Sequence, residues 1–227
     1  MILRTGQRIV FIGDSITDCG RRVAATPYGD GYMSLVRAFV SARHPELDLH
    51  WVNRGVSGDT VRDLADRWER DAVGERPDWL SVMIGINDIW RRYRGRAADA
   101  VPIDEYERTL RALLGRAVEA TGCRLVLADP YLIEPDRADP QRADTDRYAA
   151  VVAALAAEFG AVHVPTQAAF DGALAVSRPE RWADDRVHPN QPGHALLADV
   201  FLAALGAGPA VPVPGSRAGE RGLTAPR

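Results

Sequence analysis

Five short apolar runs alternate with segments of helical periodicity along this chain, and this alternation limits the possible folds more than any other feature. The runs lie at residues 9–12, 47–52, 79–84, 125–128 and 161–164, and in the second of them apolar residues alternate with polar ones. Strands that alternate with helices indicate a parallel sheet covered on both faces, because parallel strands need right-handed helical crossovers. The sequence therefore predicts an α/β fold, a three-layer α/β/α sandwich around a five-stranded parallel sheet.

Apolar residues three or four positions apart predict the helices that accompany these strands. The predicted helices cover residues 32–44, 61–68, 103–120, 148–159 and 191–205. Residues 129–146 are expected to form a long polar connection, and residues 165–181 show no clear period. Nine of the twenty-two residues from 206 to 227 are Gly or Pro. We therefore expect one domain over residues 1–205, followed by a mobile tail.

Composition and charge exclude several classes of function. A formal charge of −3 over 227 residues offers no broad attraction for nucleic acid or for an anionic membrane. Cys19 and Cys123 form no CxxC pattern, so we expect free thiols and neither a disulfide framework nor a zinc site. The first residues contain no apolar signal core, and nowhere do roughly 18 apolar residues follow one another. We expect a cytoplasmic protein.

Three of the predicted strands end in turns that carry polar groups. Gly13 breaks the first run, and Ser15 follows it; Gly58 and Asn87 follow the second and third. Because the carboxyl ends of parallel strands lie at one edge of a sheet, these residues can converge there. Ser15 is thus a candidate nucleophile, although a serine in this place can also simply cap the next helix. Asn87, taken alone, would similarly indicate a turn and a helix cap.

Four sequence blocks resemble, in order, those of the SGNH (GDSL-type) hydrolases. The blocks are residues 13–15, the turn at Gly58, residues 85–88 and residues 185–188, and the resemblance spans about residues 8–205. More narrowly, residues 11–21, 58–64 and 84–91 are similar to the intracellular acetylxylan esterases. The resemblance implies a flavodoxin-like fold, no metal or other cofactor, and removal of acetyl groups from xylo-oligosaccharides or related sugars.

The resemblance also implies a role for each matching residue. Ser15 would attack the ester carbonyl, His188 would act as its base, and Asp185 would orient the imidazole. The backbone N–H groups of Ser15 and Gly58 and the side-chain amide of Asn87 would form the oxyanion hole. His188 is also the histidine that the residues themselves favour, since none of the other four has a carboxylate three positions before it.

Some of these assignments have competitors. Gly55 is a rival to Gly58, and Asp184 is a rival to Asp185. Asp184 also stands where the acetylxylan esterases carry an aromatic residue, which bears on substrate preference and on the basicity of the histidine. Asp14 and Asp18 are expected to tie down the turn around the serine.

The substrate pocket is less well defined by the sequence. Four aromatic residues could stack on sugar rings: Trp90, Tyr28, Tyr93 and Trp182. The arginine-rich residues 91–94 are expected to form a solvated face. The partner is a small-molecule ester or an acetylated sugar, and relatives of this kind suggest a homo-oligomer.

Other functions fit the same residues less well. Within the same fold, a broad short-chain carboxylesterase, a lysophospholipase or a thioesterase is the main alternative. A metal-dependent phosphoesterase could use five side chains: Asp14, Asp18, Asp88, Asp185 and His188. A third alternative is a binding protein that has lost catalysis, although all four functional blocks are occupied.

Overall fold

A five-stranded parallel sheet forms the centre of the computed structural model, which describes residues 1–208. Its strands are β1 (Arg8–Gly13), β2 (His50–Gly55), β3 (Trp79–Met83), β4 (Arg124–Ala128) and β5 (Val162–Val164). They lie in the order β2-β1-β3-β4-β5, and all four neighbouring pairs are parallel. This is the strand order of flavodoxin-like folds, so the predicted fold class is confirmed.

Eight α-helices within residues 1–208 connect and cover these strands. They are α1 (Ser15–Asp18), α2 (Tyr32–Arg43), α3 (Val61–Asp71), α4 (Ile86–Tyr93), α5 (Ile103–Thr121), α6 (Pro140–Glu158), α7 (Thr166–Leu174) and α8 (Gln191–Ala204). In the described part of the chain, no helix is both long and apolar enough to cross a membrane.

The central strand β1 shows how the three layers are held together. Ile9 and Phe11 pack with residues of α2, α7 and α8, whereas Val10 and Ile12 pack with residues of α3, α5 and α6. All four side chains are almost completely buried. Burial of one such side chain stabilises a fold by about 1.5–3 kcal/mol. Because successive side chains of β1 point to opposite faces, this strand stabilises the cores on both sides of the sheet.

Several local structures differ from the sequence-based predictions. β2 begins at His50 rather than at residue 47, because Pro45–Leu47 form a 3-10 turn. α6 begins at Pro140, well before its apolar period becomes visible, and Asp139 caps its first turn by accepting a hydrogen bond from the Arg142 N–H. α4 and α7 are helices in places where we expected a turn and an irregular region.

The register of the sheet fixes where the functional loops begin. Gly13 pairs with Gly55 of β2 and with Met83 of β3, so these three strands end at the same level. The segments that carry Ser15, Gly58 and Asn87 therefore leave the sheet side by side.

The C-terminal end of the described chain is packed on the domain. Ala207 is buried, and the Arg43 guanidinium donates a 2.8 Å hydrogen bond to its carbonyl oxygen. The predicted mobile tail lies, from residue 209 onward, outside the described residues.

Candidate active site

Ser15 is the first residue of α1, directly after the turn that ends β1. The cap of this helix is the preceding residue, Asp14, whose carboxylate accepts a 3.0 Å hydrogen bond from the Ile16 N–H. The Ser15 hydroxyl makes no capping contact of its own and instead lies 3.0 Å from Nε2 of His188. The structure therefore places this hydroxyl next to a base and does not use it as a helix cap.

His188 and Asp185 lie in the loop before α8. Nδ1 of His188 is 2.6 Å from Oδ2 of Asp185, while the other carboxylate oxygen accepts hydrogen bonds from the backbone N–H groups of Val187 and His188. Pairing between Ala183 and Pro189 closes this loop at its base. The contact to the imidazole comes from Asp185, whereas Asp184 is exposed to solvent.

The charge of Asp185 is stabilised by these contacts. Partial burial by itself would raise the pKa of its carboxyl group, but the hydrogen bonds from the His188 side chain and from two backbone N–H groups outweigh that effect and lower the pKa. The carboxylate is therefore ionised when the imidazole has to accept a proton. Ser15, His188 and Asp185 thus form a continuous hydrogen-bonded relay of hydroxyl, imidazole and carboxylate.

Gly58 presents a free backbone N–H group beside this relay. Its φ is +87°, and within residues 1–208 its N–H has no hydrogen-bond acceptor. The rival residue, Gly55, uses its N–H to bond the Asn53 side chain at 2.9 Å. Of the two glycines, Gly58 is therefore the one whose N–H is available to a ligand.

Asn87 lies in the first turn of α4 and is buried. Its side-chain nitrogen donates one hydrogen bond, at 3.0 Å, to the carbonyl oxygen of Asp59. An amide nitrogen carries two hydrogens, so the second one stays available. The contact with Asp59 fixes the orientation of the amide beside the Gly58 loop.

A set of buried ionic contacts holds the loops in place. Arg67, which the sequence analysis did not single out, donates hydrogen bonds to the carbonyl oxygens of Gly13 and Arg54 and to the carboxylate of Asp59. It thereby joins the ends of β1 and β2 to the Gly58 loop. The sequence feature that could have pointed to Arg67 is Asp71, a carboxylate one helical turn later. The two side chains form an ion pair at 3.2 Å.

Asp18 and Asp88 support the same loop from either side. The Asp18 carboxylate accepts a 3.2 Å hydrogen bond from the Ser57 N–H, and the Asp88 carboxylate accepts one of 3.0 Å from the Val61 N–H. These contacts agree with the expected structural role of Asp18.

Asp14 and Asp88 are buried carboxyl groups behind the relay. Burial raises the pKa of each to about 7. Within residues 1–208, no group of three or more His, Cys, Asp or Glu side chains is arranged so that it could hold a metal ion. The five side chains named for a phosphoesterase therefore do not form a metal-binding cluster.

A cavity of about 470 Å³ opens beside the relay. Its lining contains Gly58, Asn87 and Asp185 together with Trp90 and, unexpectedly, three arginines: Arg91, Arg94 and Arg96. The Trp90 ring also contacts the His188 ring edge-on, with 5.4 Å between the centroids. Residues 92–94 are exposed, as expected for a solvated face, but Arg91 and Arg94 also contribute to the wall of this cavity.

The other three aromatic candidates make contacts elsewhere and are not among the cavity-lining residues. The Tyr28 ring stacks under the Arg37 guanidinium at 4.1 Å. The Tyr93 hydroxyl bonds the Asp144 carboxylate, and the Trp182 indole N–H bonds the Ser177 hydroxyl, each at 2.8 Å.

Comparison with known proteins gives consistent results. The model of the GDSL-like Lipase/Acylhydrolase family matches residues 11–196. An acetylxylan esterase from Geobacillus stearothermophilus is 43% identical over 216 residues, which cover 91% of this chain and 97% of that protein. The crystal structure of Axe2, an acetylxylan esterase from the same organism, matches with a TM-score of 0.87 over the same shares of the two chains.

A metagenomic enzyme provides a further match. LAE5, an alpha/beta hydrolase from the metagenome of Lake Arreo, is 41% identical, with a TM-score of 0.87 over 91% of this chain and 98% of that one. With a family model that covers most of its length and relatives matched almost end to end, this chain belongs to the GDSL-like lipase/acylhydrolase family.

Proposed function

We propose that this protein is a serine esterase that removes acetyl groups from acetylated xylo-oligosaccharides or related sugars. The observation that carries the proposal is the relay from Ser15 through His188 to Asp185, beside a cavity that also exposes two hydrogen-bond donors. The 43% identity to an acetylxylan esterase supports the choice of an acetyl group and a xylose-based alcohol.

In the first half of the reaction, Oγ of Ser15 attacks the acetyl carbonyl carbon while Nε2 of His188 takes the hydroxyl proton. The ionised Asp185 stabilises the imidazolium and holds its tautomer. The tetrahedral intermediate then collapses, the sugar alkoxide takes the proton from His188 and leaves, and Ser15 keeps the acetyl group. In the second half, His188 takes a proton from water, which attacks the acetyl-serine. The second tetrahedral intermediate then collapses, Oγ of Ser15 takes the proton back from His188, and acetic acid leaves and ionises to acetate.

The negative charge on the carbonyl oxygen is stabilised by donors already in position. We assign this role to the backbone N–H groups of Ser15 and Gly58 and to the second hydrogen of the Asn87 amide. Such donors, fixed before the reaction, need no reorganisation when charge develops. The Arg67 network and the Asp88 contact are consistent with this assignment, since they fix the loop that carries Gly58.

Two further proposals rest on the resemblance alone. The first is that the protein acts in the cytoplasm on imported oligosaccharides; cell fractionation tests this location. The second is that it forms a homo-oligomer; size-exclusion chromatography with light scattering tests this assembly.

The direct test of catalysis is hydrolysis of p-nitrophenyl acetate by the Ser15→Ala variant. We expect activity to disappear, because no other group supplies the nucleophile. Ser41→Ala, which changes an exposed serine on α2, is the matched control and should retain activity. A serine-directed phosphonate should inactivate the enzyme, and EDTA should not. Activity that survives in Ser15→Ala, or is lost in EDTA, contradicts the proposed mechanism.

The substrate is tested by comparing acetate release from acetylated xylo-oligosaccharides with hydrolysis of p-nitrophenyl esters of increasing acyl length. We expect the acetylated sugar to be cleaved and the rate on aryl esters to fall as the acyl chain grows. A preference for long acyl chains would instead favour the lysophospholipase or thioesterase alternative.

A further inference from the structure

Three arginines line the cavity, and all of them come from the end of α4 or the turn after it. The cavity is also lined by Asn87 and Gly58, two of the three residues to which we assign the donors for the reacting carbonyl. A sugar whose acetyl group lies near Ser15 can extend into this cavity and contact its arginine side chains.

Two of the three positive charges already have partners within the protein. Arg91 donates a 2.7 Å hydrogen bond to the Gly58 carbonyl oxygen and lies 3.5 Å from the Asp63 carboxylate. Arg96 pairs with the Asp99 carboxylate at 2.8 Å. These two arginines therefore shape the wall, and their charges are balanced locally.

Arg94 differs from both. Within residues 1–208, no carboxylate lies within 4.0 Å of its guanidinium. The group lies over the Trp90 ring instead, with 4.8 Å between the guanidinium carbon and the ring centroid. This stacking orients the guanidinium but does not neutralise its charge. Arg94 is thus an oriented cation without a carboxylate partner at the wall of the cavity.

The position of Arg94 relative to the reacting atoms is set by the same indole. One part of the Trp90 ring contacts the His188 imidazole, and the Arg94 guanidinium lies over the ring. The same indole therefore contacts both the cation and the proposed catalytic base. The guanidinium lies close enough to the site to contact the part of a bound sugar next to the acetylated position.

We propose that Arg94 binds a carboxylate on the sugar part of the substrate, so that the enzyme prefers acetylated xylo-oligosaccharides that carry a uronic acid. The planar fork of a guanidinium matches a carboxylate with two parallel hydrogen bonds, and a uronic acid is the form in which a sugar chain carries that group. The inference rests on the proposed function and names the substrate class within it.

The test compares two substrates that differ only in this charge: an acetylated xylo-oligosaccharide with a glucuronic acid branch and the same oligosaccharide without it. The wild-type enzyme should show a higher kcat/KM on the acidic substrate, and the preference should weaken as salt is added. Arg94→Gln should lower kcat/KM on the acidic substrate by about fivefold, the effect of one partly exposed ion pair. On the neutral substrate it should change kcat/KM by less than about twofold.

The matched control is Arg124→Gln. Arg124 also has its guanidinium over a tryptophan, Trp79, at 5.4 Å, but it lies at the start of β4, on the opposite edge of the sheet. This variant makes the same change in net charge and should keep the preference of the wild type. Arg94→Lys keeps the charge but loses the fork, so it should recover part of the preference.

Three outcomes overturn the inference: equal kcat/KM of the wild type on both substrates, an equal loss on both in Arg94→Gln, or the same loss in Arg124→Gln. An equal loss on both would mean that Arg94 contacts neutral hydroxyl groups or only supports Trp90. Each of these outcomes leaves the deacetylase proposal intact, because acetate is still released.

A second measurement keeps the two proposals separate. Should the enzyme hydrolyse p-nitrophenyl acetate but release no acetate from either oligosaccharide, the sugar deacetylase proposal fails. Binding by Arg94 is then measured with deacetylated oligosaccharides as inhibitors of p-nitrophenyl acetate hydrolysis. The acidic oligosaccharide should inhibit the wild type more strongly than the neutral one, and Arg94→Gln should remove the difference. Equal inhibition of the wild type by the two overturns the inference.

Discussion

Two neighbouring carboxylates, Asp184 and Asp185, show how much the surroundings of a residue determine its role. Both precede His188 closely enough in sequence to orient it. Only Asp185 contacts the imidazole, and it does so because its second oxygen is held by two backbone N–H groups of the same loop. The loop conformation, more than the residue type, thus determines which carboxylate faces the imidazole.

This difference leads to a paired prediction. Asp185→Asn should lower kcat on p-nitrophenyl acetate by about ten-thousandfold, because an amide does not stabilise the imidazolium and favours the wrong tautomer. Asp184→Asn removes the same charge one position away and should change kcat by no more than about twofold. Steady-state kinetics at neutral pH check both values. Comparable losses in the two variants would contradict the assignment of Asp185.

The residues that the sequence could and could not identify differ in a physical way. Ser15, Asn87 and His188 stand in short blocks with recognisable neighbours, and the structure brings them to one edge of the sheet. The role of Arg67 depends on contacts with residues distant in sequence, and the role proposed for Arg94 depends on its having no carboxylate partner within residues 1–208. The contacts of Arg67 with the ends of β1 and β2 exist only after folding, and the spacing of Arg67 and Asp71 predicts their ion pair but not those contacts.

At the scale of elements, α4 is the helix that connects the sheet to the cavity. It begins at Ile86, directly after Gly85, and carries Asn87, Trp90 and Arg94 in or just after its turns. This helix was not predicted, because eight residues are too few to show a clear apolar period. A Gly-Ile-Asn-Asp block is also as typical of a turn as of a helix start. The longer helices, α2 and α5, were predicted almost to their ends because their apolar faces repeat several times.

Gly85 determines the direction in which α4 leaves β3. Its φ is +129°, and a Cβ at this position would lie 3.0 Å from the Tyr106 hydroxyl and 3.2 Å from the Pro130 ring. Gly85→Ala should therefore destabilise the fold by about 1–3 kcal/mol and also lower kcat, since Asn87 would shift with the helix. Denaturant unfolding and kinetics measure the two effects.

Gly115→Ala is the matched control for this change. Gly115 lies inside α5 with nothing within 4 Å of the added Cβ, so the alanine should stabilise the protein by about 0.5–1 kcal/mol. A Gly85→Ala protein as stable and as active as the wild type would mean that α4 leaves β3 in another direction.

At the scale of the whole molecule, buried carboxyl groups at the carboxyl edge of the sheet destabilise the fold when they are ionised. Asp14 and Asp88 are both buried there, and the Asp88 Oδ2 has no hydrogen-bond partner among the described residues. Burial is the larger effect on both, and a neighbouring carboxylate adds to it: Asp14 raises the pKa of Asp88, and Asp59 raises the pKa of Asp14. Asp88 nevertheless holds the loop before α3 through the Val61 N–H, so the same residue supports the site and destabilises the fold when it is charged.

The consequence is a dependence of stability on pH. Burial raises the pKa of Asp88 from 3.8 to about 7 in the folded state. Between these values the unfolded chain has already lost the proton that the folded protein keeps, so the free energy of unfolding falls as the pH rises through this range. Asn at this position does not titrate and can still accept the Val61 hydrogen bond.

The free energies of unfolding of the wild type and Asp88→Asn should therefore diverge with pH. As the pH rises from about 5 to about 8, the free energy of unfolding of the variant should increase relative to that of the wild type by on the order of 2 kcal/mol. Denaturant unfolding at several pH values measures this difference, with Asp66→Asn, an exposed position on α3, as a control that should show almost no trend. A constant difference between wild type and Asp88→Asn would mean that this carboxyl group titrates alike in the folded and unfolded states, which its burial at the centre of the sheet edge argues against.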